Sequence, residues 1–127
     1  RQHWKQEGIS WRRDSMKEET DISTLQDLDV RVGTVKRAEE NNGSRDPAFK
    51  VWVDFGEGIG TLKTSAKLTE LYEPDELVGK QVVGIINFPD KQVADMMSEF
   101  LLLGALGDDG VPVLTVDRDV KNGTKIA

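Results

Sequence analysis

This sequence lacks the most versatile catalytic side chains. It contains no cysteine and a single histidine, His3. That excludes a disulfide framework, a thiolate metal site and a cysteine nucleophile. Neither a Ser-His-Asp triad nor a multi-histidine zinc site can be built from one histidine at the start of the sequence. Carboxylates occur as the adjacent pairs Glu18-Glu19, Glu39-Glu40 and Asp108-Asp109. Acid–base catalysis needs carboxylates that converge in a cleft with displaced pKa values, whereas these pairs stand in polar stretches that read as solvated loops. Asp108-Asp109-Gly110 lacks the spaced oxygen ligands of a calcium loop. Gly56-Glu57-Gly58-Ile59-Gly60 fails the dinucleotide pattern, because Thr61 stands where a third glycine belongs, and the Gly-Lys-Ser/Thr ending of a phosphate loop is missing. A hairpin turn that needs positive φ accounts for these glycines. With no catalytic constellation, metal site or cofactor motif, the expectation is a binding protein and not an enzyme.

One polar set is more informative. Two apolar runs, Lys80–Phe88 and Phe100–Leu106, are joined by a link, with Asn87, Lys91, Ser98 and Glu99 at and between their ends. Together they supply an amide, an ammonium, a hydroxyl and a carboxylate, the mixture a ligand rim requires.

These groups must be held by regular elements. Ser23-Thr24-Leu25-Gln26 fits a capping box and opens a short helix over Ser23–Leu28. Val30–Ala38 is β-branched and reads as a strand, with Gly33 as a bulge or bend. Glu39–Pro47 is a polar loop. Lys50–Phe55 alternates, with Val51, Val53 and Phe55 on one face, as a half-buried strand does. Ile59–Thr64 is a further strand, and Lys67–Tyr72 is helical until Glu73-Pro74 stops it. Lys80–Phe88 and Phe100–Leu106 read as buried strands, and Val111–Val116 as a last strand after the turn at Gly107–Gly110. Short strands with turns between them, and helices confined to connections, predict an all-β barrel with short helices.

The 127 residues carry a formal charge of −6, with 37% hydrophobic and 31% charged residues. That is a globular balance and a prior against unspecific nucleic-acid binding. No apolar run reaches the ~20 residues of a membrane span, so a cytoplasmic protein without membrane insertion is expected. The stretch to residue 15 concentrates Arg1, Lys5, Arg12, Arg13, Trp4 and Trp11. Residues 1–20 are read as an N-terminal extension and residues 21–127 as the domain.

Across that domain the chain resembles the tRNA-binding domain family. The resemblance is carried by Leu28-Asp29-Val30-Arg31-Val32-Gly33, Asp54-Phe55-Gly56, Ser65-Ala66 and Leu77-Val78-Gly79-Lys80. Asn87-Phe88-Pro89, Ser98-Glu99 and Asn122-Gly123-Thr124-Lys125-Ile126 continue it. The family includes the C-terminal appendix of methionyl-tRNA synthetase and the chaperone-like CsaA branch. Asp46-Pro47-Ala48-Phe49-Lys50, Thr64-Ser65-Ala66 and Asn-Phe-Pro are most similar to the latter. The resemblance implies an OB-fold, a five-stranded Greek-key barrel with extra C-terminal strands. It also implies a homodimer and either of two ligands, unfolded export-destined polypeptides or tRNA. For polypeptide, Phe49, Phe88 and Phe100 are candidate walls, with Asn87 and Ser98 as hydrogen-bonding partners. For tRNA, matching positions are Arg31, Lys50, Lys63, Lys91 and Ser98, and Ser65 and Glu99 belong to the same motifs. Asp90 and Asp95-Met96-Met97 make the rim less cationic than the family pattern, which places polypeptide first and tRNA as the alternative.

Overall fold

The computed structural model describes residues 16–43, 45–93 and 95–127, so the tryptophan-bearing stretch to residue 15 lies outside the described residues. Helix α1 (Ile22–Gln26) begins at Asp21, without a side-chain cap. The capping box expected at Ser23 is not formed, because the helix starts earlier and Ser23 sits inside its first turn. Strand β1 (Val30–Glu40) runs antiparallel to both β2 (Phe49–Asp54) and β4 (Gln81–Ile85). Strand β3 (Thr61–Ala66) pairs with β2. β7 (Leu101–Leu102) pairs with β4, giving the sheet order β3-β2-β1-β4-β7. β7 also approaches β3, so the five strands nearly close into the expected barrel.

Helix α2 (Pro74–Leu77) shows where turn chemistry outweighs apolar spacing. Lys67–Tyr72 forms only a single turn, with the Tyr72 amide donating to the Leu68 carbonyl at 3.3 Å. Pro74 starts a helix where it was expected only to end one. Its missing N–H costs nothing at the first helical position, and Glu73 and Glu76 close a reciprocal capping box, the Glu76 carboxylate accepting from the Glu73 amide at 2.8 Å.

The barrel interior holds Val35, Phe49, Val51, Val53, Phe55, Leu68, Leu77, Val82 and Phe100. Phe55 and Phe100 meet edge to face, with centroids 5.1 Å apart and rings at 81°, a favourable arrangement of their quadrupoles. Gly33 is not the bulge. A Cβ there would lie 2.6 Å from Val53 Cγ1 and 2.8 Å from the Asp54 carbonyl, so glycine permits close packing of β1 on β2. The bulge lies at Lys36, between the pairs Val35↔Val53 and Arg37↔Trp52. An unpaired residue reverses which face the following side chains take. Arg37 would otherwise share Val35's inward face, and Lys36 turns it outward.

Differences concentrate after β4. Phe100–Leu106 shortens to β7. Val111–Val116 forms no strand, only the bridge Gly104↔Val113. The extra C-terminal order is instead a segment along β1, where Val32 donates to the Thr124 carbonyl at 2.9 Å and Ile126 to the Val30 carbonyl at 2.9 Å. The link between β4 and β7 contains the hairpin β5 (Lys91–Val93) and β6 (Met96–Ser98), which sequence periodicity did not reveal.

The expected glycine turn is present, with Gly56 at φ 93° and Gly60 at φ 88°. It interlocks with the Asn122-Gly123 turn. A Cβ on Gly56 would lie 2.6 Å from the Asn122 carbonyl oxygen, and one on Gly123 2.6 Å from that of Phe55.

Candidate nucleic-acid interface

The alternation of β2 sends Val51 and Val53 inward, so Lys50, Trp52 and Asp54 face outward. Register then builds two cross-strand rows on the outer face of β1–β3. The first is Glu39↔Lys50↔Ser65, and the second is Arg37↔Trp52↔Lys63. The β5–β6 hairpin extends the face beyond β3. The Ser65 amide donates to Ser98 Oγ at 3.1 Å, and Ser98 pairs in register with Lys91. Lys50, Ser65, Ser98 and Lys91 therefore follow one line across the strands, in which Ser98 is buried and fastens the hairpin to β3 while the other three reach the surface. Glu99 secures the same edge, its carboxylate accepting from the Lys63 amide at 3.0 Å while its own amide donates to the Lys63 carbonyl at 2.8 Å.

The charges on this face are loosely held. Arg37 donates to Glu39 at 2.7 Å, with 63% and 42% of the two side chains exposed. Lys50 Nζ lies 3.7 Å from the Asp95 carboxylate at the hairpin tip. An exposed pair such as Arg37–Glu39 is worth about 0–1 kcal/mol, so a phosphate can displace its carboxylate at little cost, whereas the Lys50 side chain is only 26% exposed. Lys63 and Lys91 form no ion pair among the described residues. Arg37 also stacks on Trp52, its guanidinium carbon 4.5 Å from the ring centroid.

Five expected site residues lie elsewhere. Phe49 is 3% exposed and, like Phe100, belongs to the barrel interior. The inward face of its strand leaves it no surface to offer a ligand. Phe88 is exposed. Asn87 ties the start of the domain to the end of β4, accepting from the Asp29 amide at 2.8 Å and donating to the Asp27 carbonyl at 2.9 Å. It borders a cleft of about 560 Å³ lined by Ile22, Leu25, Leu28 and Ile126. Arg31 is held by Asp29 at 2.6 Å and by the Gly123 carbonyl at 3.0 Å, beside the interlocked glycine turns. Among the described residues, no cluster of His, Cys, Asp or Glu is placed to hold a metal ion.

Sequence reasoning missed Arg37 and Trp52. The alternation that turned Val51 and Val53 inward already implied Trp52 outward, but Arg37 depended on the bulge.

Residues 30–125 match the tRNA binding domain family. The methionine–tRNA ligase of Methanocaldococcus jannaschii is 38% identical over 110 residues, covering 86% of this chain and 16% of that protein. The chain thus spans about one sixth of the length of that curated relative. Among the solved structures that match over their whole length are two named as chaperones. The chaperone CsaA of Bacillus anthracis is 39% identical over 87% of this chain, with a TM-score of 0.81. The CsaA chaperone protein of Picrophilus torridus is 38% identical over 86%, with a TM-score of 0.82.

Proposed function

The chain belongs to the tRNA binding domain family, and from that premise we propose that it is a non-catalytic, CsaA-like protein that binds tRNA on the outer face of β1–β3. The observation that carries this reading is the line Lys50–Ser65–Ser98–Lys91, flanked by Arg37 and Lys63. Lysines spaced along a ladder neutralise successive phosphates, and hydroxyls and amides bond to phosphate or sugar oxygens. The net charge of −6 does not oppose this, because affinity follows the local potential of the face.

The reading reverses the order of ligands expected from sequence. Two of the three aromatic walls assigned to a polypeptide groove, Phe49 and Phe100, are interior. Polypeptide binding stands second. It is favoured by the solved relatives named as chaperones and by exposed Phe88, Met97 and Leu101. Phe88 and the amide of Asn87 would serve that ligand, and an export role belongs to this second reading. In either case the protein acts as a homodimer through the α1–Ile126 cleft, in the cytoplasm, where tRNA is met. Among the described residues no helix is long and apolar enough to cross a membrane.

The test is tRNA binding measured by anisotropy between about 50 and 200 mM salt. Three lysine contacts predict a log–log slope of roughly −2 to −3, at ~0.7–0.9 per phosphate. Salt-insensitive binding of an unfolded polypeptide, with no binding of tRNA, would replace the first reading with the second.

A further inference from the structure

The row Arg37↔Trp52↔Lys63 has a composition that phosphate binding alone does not require. Its centre is a half-buried indole with a guanidinium lying over the ring. On one side stands Glu39, which holds Arg37, and on the other Lys63, unpaired by any carboxylate among the described residues. A lysine pair serves duplex and single strand alike, since it reads only charge. An aromatic surface is useful only to a base that has left its stack.

We propose that Trp52 and Arg37 form a stacking site for one unpaired base, whose phosphate is taken by Lys63. This rests on the nucleic-acid reading above and deepens it, for it restricts the ligand to single-stranded or looped RNA. The placement is fixed by the backbone. Directly opposed cross-strand residues have Cβ atoms ~4.5–5.5 Å apart, so base surface and phosphate ligand stand side by side without any loop having to order. Arg37 has two partners, Glu39 and the Trp52 ring, and both leave its guanidinium exposed. A base can stack on that plane or take its place over the indole, and the Arg37–Glu39 pair is too weak to resist. The bulge at Lys36 supports the assignment, because without it Arg37 would not face Trp52.

The test uses the full chain carrying W4F and W11F, so that Trp52 alone emits. Oligo(A) of about twelve nucleotides, within the ~4–16 that one such barrel spans, is compared with an RNA duplex of equal length. Oligo(A) is expected to quench Trp52 emission saturably and to bind more tightly than the duplex. Trp52→Leu is expected to weaken oligo(A) binding by roughly five- to 150-fold, the usual loss of one aromatic–base stack. Trp52→Phe should restore most of it, and neither change should alter duplex binding. Because emission is read on native Trp52, the result stands even if Trp52→Leu does not fold. Unchanged emission with equal affinity for oligo(A) and duplex, both lost in Lys63→Glu, would overturn the stacking site while leaving nucleic-acid binding intact. Absence of binding to either RNA would overturn both.

Discussion

The outer face of β1–β3 and the cleft between α1 and the C-terminal segment expose side chains of opposite kind and hold them by different means. On the face, Arg37, Trp52, Lys63 and Lys50 stand on ladder positions, so their spacing is set by backbone hydrogen bonds shared with the core. In the cleft, Ile22, Leu25 and Ile126 are exposed on short segments attached through Asn87 and through the Ile126–Val30 hydrogen bond. Polar recognition is directional, and a pre-spaced row lets it proceed with little ordering cost. Apolar burial is non-directional and depends on area, so the cleft needs to be covered more than it needs to be exact. The face is suited to a ligand that comes and goes, and the cleft to a standing partner.

The largest expected effect tests that division at the cleft. Leu25→Asp puts a charge where a second copy would bury leucine from both protomers, a loss of about 3–6 kcal/mol across a symmetric contact. Sedimentation should then return a mass near 14.2 kDa, with tRNA still bound on the face. A mass unchanged by this substitution removes the cleft from the interface. Asn87→Ala removes two water-exposed hydrogen bonds, to the Asp29 amide and the Asp27 carbonyl, and should cost about 1–2 kcal/mol of stability, at ~0.5–1.5 per bond. The thermal midpoint would fall and RNA affinity hold. A loss of affinity at constant midpoint would instead move Asn87 into the binding site. On the face, Lys63→Glu should lower tRNA affinity roughly tenfold at moderate salt and reduce the salt slope by about one unit, with no change in mass. Smallest is Glu39→Gln, which frees Arg37 from an exposed pair worth about 0–1 kcal/mol. RNA affinity should rise by up to about fivefold, and a decrease would mean that Glu39 positions Arg37 productively.

What the sequence disclosed follows the range of the interaction. The strand Lys50–Phe55 was legible because its alternation is a local property, and the barrel followed from several such strands and the turns between them. The line Lys50–Ser65–Ser98–Lys91 was legible only as separate residues, since register is decided by two strands together. The bulge at Lys36 carries no glycine or other local mark. The helix at Pro74–Leu77 was hidden because proline was read as an ending, although at a first helical position it is a beginning. Phe49 and Phe100 stood as candidate walls with core as the alternative, because an aromatic beside polar residues looks the same from sequence whether it lines a groove or fills a core. The hairpin Lys91–Ser98 escaped because three-residue strands are too short for periodicity to register.

The unpaired Lys36 has a hereditary consequence. Before it, even-numbered Thr34 faces outward with Asp54; after it, odd-numbered Arg37 and Glu39 do. The strand is thus written in two reading frames joined at one residue, and a descendant that lost that residue would join them without a seam, because Val35 opposite Val53 and Arg37 opposite Trp52 already alternate. The damaging change is the one that keeps Lys36 and draws it into the ladder. Lys36 would then take Arg37's place opposite Trp52, and Arg37 and Glu39 would be driven to the inward face of Val51 and Val53, where a guanidinium and a carboxylate would lose their water. Lineages carrying this barrel should therefore vary freely in whether position 36 is occupied and hardly at all in leaving it outside the ladder when it is.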